Sequence, residues 1–224
     1  MKKIYVISLL LVFASNNIFS QSSWKNIFFS NVSSFSKIIK RDSLNYIGLT
    51  GSKFFYKSSN SGNNWNCYPE YTFDSNYVLT NGQFINSQTG WVIGSSYTYY
   101  SGNGVILKTT NGGLNWIRQN TGFDNYYCSC INFLNENTGW IGSSGGSVGY
   151  LMKTTNGGIN WSKQDFAGAY NIGYIKFFDI NSGWILGTYL VSKTTNGGQN
   201  WITKNINNIP PTYTINRDLF VIIT

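Results

Sequence analysis

Lys108-Thr109-Thr110-Asn111-Gly112-Gly113-Leu114-Asn115-Trp116 returns as KTTNGGINW at residues 153–161 and as KTTNGGQNW at residues 193–201, and a looser copy, KSSNSGNNW, occupies residues 57–65. The closing tryptophans, Trp65, Trp116, Trp161 and Trp201, are 51, 45 and 40 residues apart. A catalytic motif needs writing once. A motif written once per unit of this length is something each structural repeat requires. A second motif lies between the nonamers: NSQTGWVIG around Trp91, NENTGWIGS around Trp140 and NSGWILGT around Trp184, with Asn45-Tyr46-Ile47-Gly48 as a worn first copy. Trp24 matches the start of the segment that follows each nonamer, so all eight tryptophans fall in repeat positions. That assigns them to structure, where each buried indole contributes on the order of 2–3 kcal/mol.

The nonamer reads as a hairpin closure. Asn-Gly between two strand-like runs favours a turn with positive φ. The side-chain oxygen of Asn111 can fold back onto backbone N–H groups of the turn. Gly113 fills a place where a Cβ would clash, Thr109 can hydrogen-bond across the hairpin, and Trp116 packs beneath it. The same roles fall to Asn60, Gly62 and Trp65, to Asn156, Gly158 and Trp161, and to Asn196, Gly198 and Trp201. Within the unit that follows Trp116, strands are expected over 116–119, 128–133, 140–142 and 150–153, separated by Gly, Asn and Ser turns. No mature segment carries a helical period. Four short strands per unit of 40–50 residues predict an all-β chain, a β-propeller of four-stranded antiparallel blades with four full repeats plus a partial fifth.

The pattern Ser/Thr-x-Asn-x-Gly-x-x-Trp resembles the Asp-box, or BNR repeat, of sialidases, sortilin and several glycosidases. The wider unit, GWxxG followed by a lysine strand and TTNGGxNW, is most similar to the photosystem II stability/assembly factor family and its bacterial relatives. The resemblance covers essentially the whole mature chain. It implies a propeller with the boxes as structural hairpins on the rim, and a chaperone-like role toward a membrane complex. All four boxes here carry Asn rather than Asp, which keeps the turn but removes the carboxylate a box-bound cation would want. The basic, arginine-lined surface of that family is not evident, since the chain has three arginines, Arg41, Arg118 and Arg217.

The ends of the chain carry their own expectations. Lys2 and Lys3, then the apolar run IYVISLLLVF and a polar ASNNIFSQ, read as a secretory signal peptide over residues 1–20, too short to span a bilayer. The propeller then occupies 21–224, in a secreted or periplasmic setting, with no transmembrane segment in the mature chain. After Trp201, residues 215–218 and 220–224 resemble the start of a fifth unit, with Phe220 near the Trp place. The Trp24 strand could complete the last blade and hide both sheet edges.

Of 224 residues, 42% are hydrophobic and only 11% charged, with 16 basic and 8 acidic side chains. Losing Lys2 and Lys3 leaves a mature net charge of +6, which reads as a mildly basic, solvated surface. Nucleic-acid binding has no support beyond that charge. Cys67, Cys128 and Cys130 have no His near them, because the chain contains none, so a zinc site is not expected. Cys128 and Cys130, two apart in a strand, should share one face, and all three cysteines, Cys67 included, read as small buried residues. No cofactor is expected.

Function belongs on the face that varies. In an up-and-down blade one face carries the NSQTG-type turns and the nonamers, with Lys57, Lys108, Lys153 and Lys193 as an expected ring of charge. The opposite face carries the unlike loops 67–77, 95–104, 121–127, 143–150 and 165–174. Tyr68, Tyr71, Tyr97, Tyr99, Tyr100, Tyr126, Tyr127, Tyr170 and Tyr174 concentrate there. Loops on a rigid scaffold are where binding residues gather, and exposed tyrosines suit a protein or glycan ligand. The alternative is a sialidase-class glycoside hydrolase, for which Glu70, Asp74, Asp124 or Asp165 would have to converge on the channel beside an arginine.

Overall fold

Each repeat becomes one sheet in a computed structural model that describes residues 35–51, 55–68, 77–96, 103–120, 126–145, 148–166 and 171–205. Blade 1 comprises β1 (Lys37–Lys40), β2 (Tyr46–Leu49), β3 (Phe55–Ser58) and β4 (Asn66–Tyr68). Blade 2 comprises β5 (Tyr77–Phe84), β6 (Gly90–Ser96), β7 (Gly104–Thr109) and β8 (Ile117–Arg118). Blade 3 comprises β9 (Tyr127–Phe133), β10 (Gly139–Gly145), β11 (Val148–Thr154) and β12 (Ser162–Phe166). Blade 4 comprises β13 (Ile172–Phe177), β14 (Gly183–Gly187), β15 (Leu190–Thr194) and β16 (Ile202–Asn205). Every sheet is a four-stranded antiparallel meander in sequence order. The first strands β1, β5, β9 and β13 pack against one another in succession, which makes them the inner strands of the ring. The all-β propeller expected from the repeats is therefore the observed architecture. The stretches read as a leader, 1–20, and as a partial fifth repeat, 215–224, both lie outside the described residues.

The GW motif sets the blade spacing. In the register of blade 3, Gly139 lies opposite Phe133, and a Cβ on Gly139 would stand 2.4 Å from the phenyl ring. Glycine thus lets the phenylalanine lie flat across its own hairpin. Gly90 with Phe84 and Gly183 with Phe177 repeat the arrangement. The exposed face of the ring then receives the tryptophan of the preceding blade. Trp91 stacks on Phe133 with centroids 3.6 Å apart and planes 8° from parallel, and Trp140 stacks on Phe177 at 3.6 Å and 5°. Both indoles are fully buried. Successive residues of a strand feed the cores on either side of the blade, as strand alternation requires. Val92 and Leu107 join blade 1, whereas Trp91, Ile93 and Ile106 join blade 3.

One device was not legible in the motifs. The inner strands of blades 2, 3 and 4 each carry a β-bulge, where the register skips Thr80, Ser129 and Gly173. A bulge adds a residue and so reverses the alternation beyond it. This corrects the expectation for the cysteines. Cys128 packs in the core between blades 2 and 3, and Cys130 in the core between blades 3 and 4. They point to opposite sides because Ser129 stands between them. Cys67, expected to be buried, is exposed. Burial, with the nearby Cys130 adding to it, pushes the Cys128 thiol up to about 12.

Candidate functional site

The nonamer face is held by a dense, repeated hydrogen-bond pattern. Gly113 N donates to Thr109 Oγ1 at 2.8 Å, Thr109 Oγ1 donates to Asn111 Oδ1 at 3.0 Å, and Asn115 N donates to the same Oδ1 at 2.9 Å. Equivalent bonds join Ser58, Asn60, Gly62 and Asn64, then Thr154, Asn156, Gly158 and Asn160, then Thr194, Asn196, Gly198 and Asn200. The paired glycines hold positive φ, 68° and 82° at Gly112 and Gly113. The closing indole donates to the turn carbonyl in three units, from Trp65 to Gly62 O, Trp161 to Gly158 O and Trp201 to Gly198 O. The Ser/Thr and Asn side-chain oxygens that define the nonamer, and the amides they accept, are thus used inside its own turn.

The lysines expected as a ring of charge do something else. Lys57 Nζ donates to Gly113 O, Lys108 Nζ to Gly157 O at 3.0 Å and Lys153 Nζ to Gly197 O at 3.0 Å. Each lysine reaches the nonamer of the next blade, and Lys108 and Lys153 also lie over the Trp91 and Trp140 rings. Arg41 Nη1 takes Gly112 O at 2.9 Å, while Lys57 takes the carbonyl that the box indole uses in the other units. Trp116 Nε1 is accordingly buried without an acceptor. Burial holds the Lys57 and Lys108 ammonium groups below their ordinary range, with Arg41 adding to this at Lys57 and Glu136 opposing it at Lys108.

The neighbouring hairpins on this face share an Asx turn. Asp42, Asn86, Asn135 and Asp179 each accept two backbone N–H groups through one side-chain oxygen, at 2.7–3.0 Å. With the Asn45 amide as the main cause, the Asp42 carboxyl is lowered to about 2. Turn and nonamer are then tied together, Gly112 N to Gln88 O, Gly157 N to Asn137 O and Gly197 N to Asn181 O. The two features assigned to one face by strand order do lie together.

The opposite face holds the cluster of interest. Tyr126 enters β9, Tyr150 lies on β11, and Lys163 and Asp165 lie on β12. The Tyr126 and Tyr150 rings meet at 4.3 Å and 61°. Lys163 Nζ stands 3.8 Å from the Tyr150 centroid and 4.9 Å from that of Tyr126, and it donates to Tyr126 OH at 3.1 Å. Asp165 Oδ1 faces the same ammonium at 3.4 Å and is 70% exposed. Burial pulls the Lys163 pKa down, but the hydrogen bonds to Tyr126 and Asp165 outweigh it and raise the value. Tyr150 is raised by its hydrogen bond to Tyr126 and by burial. The result is a fixed cation between two π faces, with an exposed carboxylate at its edge. In blade 2, Arg118 over Tyr77 at 5.1 Å repeats the arrangement in simpler form.

The predicted tyrosines divide as follows. Tyr126 is in the cluster and half-buried, and Tyr127 beside it is 44% exposed. Tyr174 lies inside β13, at the register position of Asn81 and Cys130, and so belongs to an inner strand rather than a loop. Tyr68 ends β4. Tyr71, Tyr97, Tyr99, Tyr100 and Tyr170 lie outside the described residues, as do Glu70, Asp74 and Asp124. Tyr150 and Lys163 were missed. Their signal was the Tyr–cation pair that Tyr77 and Arg118 write one repeat earlier. A groove of about 360 Å³ opens between β12 and the blade 4 nonamer, lined by residues that include Trp140, Lys163, Gln164 and Gln199 and no carboxylate. Among the described residues no three His, Cys, Asp or Glu side chains come together as metal ligands would.

No family model and no curated protein matches the sequence. Solved structures do. One of YCF48 bound to D1 peptide is 17% identical with a TM-score of 0.60, covering 90% of this chain and 61% of that one. The GH74 enzyme of Niastella koreensis is 19% identical with a TM-score of 0.56, over 75% of this chain and 29% of that one. The GH74 xyloglucanase of Xanthomonas campestris is 13% identical with a TM-score of 0.52, over 69% and 25%. The chain spans less than two thirds of the length of each. These likenesses establish a β-propeller fold that binding proteins and enzymes share.

Proposed function

We propose that this chain is a secreted or periplasmic interaction propeller whose nonamers are Asp-box-type fasteners and whose tyrosine-lined face binds a protein segment. The observation that carries the reading is the Tyr126–Lys163–Tyr150 stack with exposed Tyr127 beside it. It offers rigid aromatic surface and fixed polar groups at the end of the blades where the loops differ. A neighbour of the same fold is known with a peptide bound, which supports a protein ligand over a glycan. The geometry of the opposite face supports a fastening role, since its side chains are spent within and between blades. A hydrolase finds less to build on. Asp165 sits on β12, the outermost strand of blade 3, and pairs with a lysine; Arg41 is committed to Gly112 O on the other face. The basic start and apolar run of residues 1–20, with the sequence features of a leader, support export.

The test is a screen of the mature chain against membrane-protein peptides and a glycan array in parallel. Peptide binding is expected, and Tyr127→Ala should weaken it about tenfold, as an aromatic contact at the centre of an interface does. Tyr97/Tyr99/Tyr100→Ala maps the neighbouring loop. Glycan hits without peptide hits would overturn the reading, and so would peptide binding unchanged in both variants.

A further inference from the structure

Blades 2 and 3 pass the same contacts to the next blade, and blade 4 carries that set on its outer flank. Trp184 holds the register position of Trp91 and Trp140, and Val191 that of Ile106 and Leu151. Those four are at most 2% exposed in blades 2 and 3, whereas Trp184 and Val191 are half-buried. Phe178 follows the same pattern. Its counterparts Ile85 and Leu134 pack on the next blade, and it is 53% exposed. Lys193, the counterpart of Lys108 and Lys153, lies exposed over the Trp184 ring.

The sequence beyond β16 fits that flank. Tyr77 precedes Phe84 by seven residues, and Tyr126 precedes Phe133, Tyr170 precedes Phe177 and Tyr213 precedes Phe220 by the same seven. Two residues after each tyrosine stands Leu79, Cys128, Ile172 or Ile215, the first three of which are buried inner-strand residues. Tyr213 follows Trp201 by twelve residues, as Tyr77 follows Trp65. This register puts Phe220 at the Phe place rather than near the Trp place. We infer that residues 213–220 form the inner strand of a fifth blade docked on the outer flank of blade 4, with Phe220 stacked on Trp184. The inference is independent of what the tyrosine-lined face binds.

Indole cross-peaks of the full chain labelled with 15N-tryptophan test it. Trp184→Phe identifies the Trp184 signal. Phe220→Leu keeps an apolar side chain but removes the ring current, so the Trp184 signal should move while those of Trp91 and Trp140 stay in place and certify the fold. A Trp184 signal unmoved by Phe220→Leu overturns the inference. So does a Trp184 signal that shifts on dilution of the wild type, because a second copy would then be the occupant. Hydrogen exchange of the wild type is the second measurement. Amides of 213–220 should be protected, and exchange at the rate of an open chain would equally overturn the assignment.

Discussion

Ser61 holds a φ of 59°, alone among the described non-glycine residues in the left-handed region. It stands where the other nonamers have Gly112, Gly157 and Gly197, and the first copy departs from the repeat there. An L-residue in that region costs about 1–2 kcal/mol. Glycine relieves that cost but loses about 0.5–1 kcal/mol more backbone freedom on folding. Ser61→Gly should therefore stabilise the chain by about 0.5–1 kcal/mol, read as an increase in the urea midpoint. A lower midpoint would mean that the long contact from Ser61 Oγ to Ser43 O, 3.4 Å, matters more than the backbone. The nonamer was legible at this scale because its Ser/Thr and Asn side-chain oxygens answer needs within nine residues. Asn111 serves the amide four residues on, as its side-chain length allows. The lysines were not legible, because the carbonyl each one meets belongs to the next repeat, more than forty positions away. Charge in a turn-rich face reads as solvated until the neighbour is known.

At the scale of the element, the GW motif joins two levels of packing. Glycine is required within the hairpin so that tryptophan can be met between hairpins. A methyl on Gly139 would stand 2.4–2.5 Å from three atoms of the Phe133 ring, whose other neighbours are Trp91 at 3.6 Å and Trp161 at 6.1 Å. The ring has nowhere to withdraw without breaking the stack. Gly139→Ala should destabilise by about 1–3 kcal/mol, the range for overpacking a well-filled core. Adding Phe133→Leu should recover part of the loss, since the smaller side chain yields the space, and a double-mutant cycle with no coupling would reject this account. The strand positions were readable from alternation and turn residues. The bulges at Thr80, Ser129 and Gly173 were not, because three unlike side chains fill one role. A bulge is set by its backbone, and composition leaves little trace of it. That is why the faces of Cys128 and Cys130 were misjudged while their burial was foreseen. The Tyr126–Lys163 cluster fell between these cases, since its pairing spans the width of a blade and shows only when two repeats are compared.

At the scale of the molecule, the blades form an array in which each contacts its neighbours, so opening can be local to one interface. The three cysteines report on this directly. Cys67 is exposed, whereas Cys128 belongs to the core between blades 2 and 3 and Cys130 to that between blades 3 and 4. Cys67 should react with a thiol reagent at once. A buried thiol pushed up to about 12, as at Cys128, offers almost no thiolate in place, so its modification waits on opening. The two interfaces are clamped by different lysines, Lys108 on Gly157 O and Lys153 on Gly197 O. Replacing either with methionine keeps the packed stem and removes one charged hydrogen bond, a loss of about 1 kcal/mol after the relief of burying an ammonium group. That corresponds to about a fivefold faster opening-limited reaction. Lys108→Met should therefore accelerate labelling of Cys128 and leave Cys130 near its wild-type rate, and Lys153→Met should do the reverse. Peptide mapping of the labelled chain separates the two sites. Equal acceleration of both cysteines in either variant would show instead that the blades open as one cooperative unit and that each lysine stabilises the ring as a whole.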